Sequence, residues 1–255
     1  IWYYTAMSLR IGVFDSGIGG LTVLKELVDV IPAEYVYIGD SLRAPYGNKQ
    51  SDELLQYMKE LIGFLQEKKC DVFVNACNSL SSLDTEKLLR DMNIPHKQYV
   101  DMVSATQQHL QDIPQSAHVL IYGTVATIQS GAYQNVFKGL DVTTQSSALL
   151  AQAIETGEQI VIDEEIDMLL DTVLEKHITH IFLACTHYPL VLEYIEKRCS
   201  GLGVTCINPA VYVPDSISIE ERGDYSLEIY TTKQAKGWEV CEDLFPGTDV
   251  VEMQL

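Results

Sequence analysis

Two cysteines close short apolar runs: Cys77 in "VNACNSLS" (residues 74–81) and Cys185 in "LACTHYPL" (183–190). Asn78 and Ser79 follow the first thiol, and Thr186 and His187 follow the second. A thiol just beyond a strand and ahead of a helix is where its pKa can fall, from about 8.5 to roughly 3.5–7.5. Two such thiols can take a proton from one face of a carbon and return one to the other, which inverts a stereocentre by general acid–base chemistry. His187, two residues from Cys185, is the natural shuttle partner for that thiol. Asp15, ending the run "RIGVFD", is placed to serve Cys77 in the same way.

The spacing of these residues repeats. Cys77 and Cys185 lie 108 positions apart, and so do Ser16 and Thr124, each of which follows an apolar run. The same offset matches Asn78 to Thr186 and Ser79 to His187. Two related halves are expected, each presenting a hydroxyl loop and a thiol loop, with the thiols facing one another across a cleft. Around them the candidate binding groups are neutral. "DSGIGG" (15–20) supplies Ser16 and a glycine turn whose backbone N–H groups can hold a carboxylate at the start of a helix. "APYG" (44–47) is a tight turn at Pro45, Tyr46 and Gly47 that presents main-chain amides. "GIGG" lacks the GxGxxG spacing and no P-loop lysine follows it, so no nucleotide site is expected.

The elements that must position these groups alternate. "RIGVF" (10–14), "YVYIG" (35–39), "DVFVNA" (71–76), "HVLIYG" (118–123) and "HIFLA" (180–184) read as buried strands. Leu54, Leu55, Met58, Leu61, Ile62 and Leu65 recur at helical spacing on a helix expected to be capped by Ser51. Ile166, Leu169, Leu170, Val173 and Leu174 mark another, with Asp163, Glu164 and Glu165 read as its solvated acidic start. Strand–helix alternation predicts an α/β fold with mainly parallel, doubly wound sheets, whose ligands sit beyond the carboxyl ends of the strands.

Composition narrows the function. The chain has 255 residues, 17 Lys and Arg against 36 Asp and Glu, and a formal charge of −19, which argues against binding nucleic acid. No run approaches the length of a membrane span, and "IWYYTAM" at the start is too short and lacks the basic region of a secretory signal. Residues 1–7 have no counterpart in the motifs, and Met7 reads as a natural start. The six cysteines show no CxxC pair, and the histidines do not cluster around them as a zinc site needs, so no metal is expected. Cys70, Cys199, Cys206 and Cys241 read as core thiols.

"IGVFDSGIGGLTVLKEL", "YIGDSLRAPYGNKQ", "NACNS", "YGTVATIQSGAY" and "LACTHYPL", in this order, resemble the glutamate racemases of the cofactor-independent aspartate/glutamate racemase superfamily, with a weaker echo in "LEIYTTKQ" (227–234). The resemblance implies interconversion of L- and D-glutamate without cofactor or metal, in the cytoplasm, supplying a peptidoglycan precursor. It implies Cys77 and Cys185 as the acid/bases, with Asp15, His187 and Glu155 assisting. Asp15, Ser16, Pro45, Tyr46, Gly47, Asn78, Ser79, Thr124, Thr186 and His187 would bind the substrate. It further implies two pseudo-symmetric α/β domains with the site in the cleft between them: residues 1–98 together with 208–255, and residues 99–207. The sequence leaves a homodimer open. Asn78-Ser79, Leu80 and Ala184 depart from the family's usual Asn-Thr, small residue and glycine. The stretch "VYVPDSISIEERGDYS" matches poorly. The alternatives are a racemase for aspartate or another amino acid, a one-thiol decarboxylase, or a catalytically silent binding or regulatory protein on this fold.

Overall fold

Among the described residues, ten strands form two sheets in which every neighbouring pair is parallel. In chain order they are β1 (Arg10–Asp15), β2 (Glu34–Gly39), β3 (Val72–Asn75), β4 (Tyr99–Asp101), β5 (His118–Thr124), β6 (Asp141–Ser147), β7 (His180–Ala184), β8 (Thr205–Ile207), β9 (Ser226–Thr231) and β10 (Val250–Glu252). The first sheet runs β10-β9-β2-β1-β3-β4 and the second β6-β5-β7-β8. This is a computed structural model, and it describes residues 9–218 and 224–255. The expectation for residues 1–7 and Met7, and part of the poorly matching stretch, lie outside the described residues.

The core of each sheet follows the two-residue period of a strand. In β1, Ile11 and Val13 face the helix Leu21–Val30, while Phe14 faces the helix Ser51–Glu67 with Val36, Ile38 and Phe73. In the second sheet, Leu120, Tyr122, Ile181 and Leu183 face the helix Gln159–Lys176, and Val119, Ile121 and Phe182 face Tyr133 and Phe137. Both faces are covered, which is why the central strands read as continuous apolar runs. Gly12 has a packing reason: a Cβ there would come within 2.9 Å of Leu65, so the glycine lets the helix lie close to the strand.

The internal repeat appears as topology. The order β2-β1-β3-β4 in one sheet is the order β6-β5-β7-β8 in the other, so β1 corresponds to β5 and β3 to β7. β9 and β10 extend only the first sheet, which brings the C-terminal segment back beside β2.

Some expectations change. Ser51 is the first helical residue, not the cap: Gln50 holds that position, and no side chain caps the helix. The helix carrying Asp163 begins earlier, at Gln159, and Glu165 is buried, so the acidic run is not a solvated start. Leu174 faces solvent. β4 pairs with β3, and Met102 and Ala105 join the first core, so the chain leaves the first sheet beyond residue 98. Among the described residues, no helix is long and apolar enough to cross a membrane.

Candidate active site

In each sheet the chain leaves two adjacent strands, β1 and β3 in the first and β5 and β7 in the second, in opposite directions. This is the switch point where the ends of parallel strands leave a crevice. Asp15 ends β1 and Ser16 follows it, while Cys77 lies just beyond β3. Thr124 ends β5 and Cys185 follows β7. The two sheets bring these ends to one narrow cavity, lined by Ser16, Pro45, Tyr46, Gly47, Cys77, Asn78, Ser79, Thr124, Cys185, Thr186 and His187, with Ala151 completing the wall. Asp15 and Glu155, the other two candidates, lie directly behind this lining.

Cys185 and His187 form a compact group. The sulfur is 4.0 Å from His187 Nδ1, and the opposite ring nitrogen, Nε2, is 2.9 Å from Glu155 Oε2. Burial works against a charged imidazole, but the hydrogen bonds to Cys185 and Glu155 outweigh it, and the pKa of His187 is raised well above its ordinary value. The carboxylate thus fixes the ring and stabilises its protonated form. Glu155 is held in turn by close backbone packing: a Cβ at Gly237 would lie 2.4 Å from the Glu155 carbonyl oxygen.

Cys77 differs from the expectation. It precedes the short helix Asn78–Ser81, yet burial, and then the carboxylate of Asp15, push its thiol pKa well above the ordinary value. Four helical residues give too small a dipole to offset those two effects. Cys77 is therefore a neutral thiol. Asp15 is itself fully buried; burial raises its pKa, and His187 and the backbone amide of Gly20 act in the opposite direction. The N–H groups of Gly17 and Gly20 donate to Asp15 Oδ2 at 3.3 and 2.8 Å, and the Thr186 hydroxyl donates to Oδ1 at 3.5 Å. The glycine turn therefore does hold a carboxylate, but it is the chain's own.

The remaining donors join the two sheets. Ser79 Oγ and Thr124 Oγ1 are 2.9 Å apart, and Thr127 Oγ1 is 2.9 Å from Thr124. Asn78 accepts a hydrogen bond from the Tyr133 hydroxyl, while its buried Nδ2 has no partner among the described residues. A buried amide N–H left unpaired is costly, and a carboxylate beside it would remove that cost. Tyr46 lines the cavity with its ring, but its hydroxyl donates to the buried Asp40. Asp40 also accepts from Arg43 and from Thr232.

Asp40, Thr127 and Tyr133 were not read from the sequence as parts of the site. For Asp40 a signal existed, since "IGDS" at the end of β2 mirrors "VFDS" at the end of β1. Tyr133 is connected only through a contact 55 residues distant, which no local pattern reveals. The cavity gathers thiols, hydroxyls, an amide and an imidazole. No group of three or more His, Cys, Asp or Glu able to hold a metal occurs among the described residues.

Comparison with known proteins gives a consistent result. The family described as Asp/Glu/Hydantoin racemase matches residues 11–213. Glutamate racemase of Aquifex aeolicus is 32% identical over 247 residues, covering 95% of this chain and 96% of that protein. The solved structure of glutamate racemase isoform RacE1 from Bacillus anthracis superposes with a TM-score of 0.84 at 25% identity, covering 98% of both chains. Glutamate racemase from Francisella tularensis, solved in complex with D-glutamate, gives 0.78 at 25% identity, covering 97% of this chain and 98% of that one.

Proposed function

The chain belongs to the Asp/Glu/Hydantoin racemase family, and from that premise we propose that it interconverts L- and D-glutamate by two-thiol acid–base chemistry, supplying D-glutamate for peptidoglycan. The observation that carries the proposal is that Cys77 and Cys185, from different sheets, line one cavity with neutral donors between them. Asn78 Nδ2, the Ser79 and Thr124 hydroxyls and Ser16 are placed to receive the substrate's carboxylates. Such dipoles hold an anion without bulk positive charge, which suits a chain of net charge −19.

In one direction the Cys185 sulfur, as thiolate, takes the Cα proton; the C–H bond breaks and its electron pair stays on carbon. The neutral Cys77 thiol delivers its proton to the opposite face, leaving the inverted amino acid, a Cys185 thiol and a Cys77 thiolate. His187 and Asp15 then move protons to and from these sulfurs to reset them. In the reverse direction the two thiols exchange roles.

The domain assignment follows the same reading. Residues 1–98 with 208–255 form the first proposed unit and residues 99–207 the second, and the pairing of β4 with β3 supports carrying the first unit a few residues past 98. A cytoplasmic location is supported by all six cysteines being free. A homodimer completes the proposal and is read out by light scattering. The activity is tested by chiral analysis of L-glutamate and, separately, L-aspartate incubated with the protein and no added cofactor. D-glutamate is the expected product. D-aspartate alone would install the aspartate alternative, and no inversion of either would favour the silent binding protein.

A further inference from the structure

The cavity between the thiols, about 20 Å³, has room for roughly one water and not for an amino acid. A larger cavity of about 240 Å³ abuts it across Pro45, which lines both, and across Glu155, whose carboxylate meets His187 of the inner site. Its other walls carry Gln152, Lys233 and Lys236. Both lysines are exposed, and neither makes an ion pair or a side-chain hydrogen bond among the described residues. Lys25, Lys49, Lys68 and Lys87 each pair with an acid, and of the lysines that do not, only Lys233 and Lys236 line this cavity. Two unneutralised cations thus converge at the mouth of the site in a chain whose overall field repels anions.

We infer that this outer cavity is the capture site and entrance for the anionic substrate, with Lys233 and Lys236 attracting an amino-acid dicarboxylate toward the thiols. The inference rests on the glutamate reading and adds the route and the residues that favour a dicarboxylate. A cleft with low-dielectric walls focuses the field of a few like charges, so two lysines here offset locally what the whole chain opposes. Long, flexible ammonium side chains suit transient contact better than fixed binding. The Gln152 amide offers further hydrogen-bonding capacity, and the Glu155 carboxylate is the only acid in this wall, already engaged by His187. The wall is held in place from behind, because Thr232, next to Lys233, donates to the buried Asp40 at 2.8 Å.

The test is steady-state racemisation of L-glutamate from low salt to about 0.5 M in the wild type, in K233E/K236E and in K233M/K236M. The expected result is a KM about tenfold higher at low salt for charge reversal and about threefold higher for the methionine pair. The variants converge at high salt, with kcat unchanged within about twofold. Unchanged KM and salt dependence in both pairs would overturn the inference. Binding without turnover is read from fluorescence, since the Trp238 indole donates to Ser41 on the wall of the same cavity. L-glutamate is titrated into Cys77→Ala, with and without the lysine changes. A wild type that fails to racemise glutamate while lysine-dependent binding persists would refute the function and leave the entrance standing. Racemisation with lysine-independent KM and binding would refute the entrance alone.

Discussion

Cys77 and Cys185 occupy matched positions but unlike surroundings. Burial and Asp15 keep the first a neutral thiol, while the second faces an imidazole that favours its proton. Replacing either, Cys77→Ala or Cys185→Ala, is expected to lower racemisation at least about 10³-fold while leaving D-glutamate binding within a few-fold, measured by turnover and calorimetry. His187→Asn should reduce kcat by about 10²–10⁴ with little change in KM, the range of a lost general acid–base partner. An effect confined to KM would make His187 a binding group only. The raised pKa of His187 also has a stability consequence. Its contribution is complete below the ordinary value of 6.5 and is lost as pH rises through the raised one. His187→Asn should therefore lower the urea midpoint most at pH 6, and by progressively less as pH is raised through the alkaline range. These residues were legible because each sits within three positions of a strand end. The direction of the Cys77 shift was not, because burial and the approach of Asp15 are set by residues far away in the chain.

At the level of elements, the turn Tyr46–Asn48 bridges the halves, since a Cβ at Gly47 would lie 2.6 Å from that of Thr124. Gly47→Ala should force this contact apart and raise KM severalfold, with the unfolding midpoint changed little because the strain falls on a cleft and not on a core. Asn78→Ala removes the one unpartnered buried donor of the short helix Asn78–Ser81. It should raise KM about tenfold or more, the worth of a hydrogen bond to a charged group. Five of the six interior strands, β1, β2, β3, β5 and β7, were legible from their apolar runs, as both faces of each are covered. β6, "DVTTQSS", was not: it is an edge strand with one fully buried residue, so it shows no run of apolar side chains. β4, β8 and β10 have three residues each, too few to show a period, and only pairing with a neighbour defines them.

For the whole molecule, the repeat at 108 residues is the sequence trace of two sheets with the same strand order, and it placed both thiols at equivalent ends before any contact was known. What it could not show was how tightly the halves meet. The room between the thiols is too small for the substrate, so binding must separate them and then close them again. Glutamate at a hundred times its dissociation constant should stabilise the protein by about 2.7 kcal/mol, seen as a higher unfolding midpoint. The most direct test of the two-thiol account follows where the solvent proton goes during the first few percent of conversion of L-glutamate in D2O. One base on each side predicts that D-glutamate forms with deuterium at Cα while the remaining L-glutamate stays protiated. Product retaining its original protium, or deuterium entering the substrate as fast as the product, would mean that a single base serves both faces.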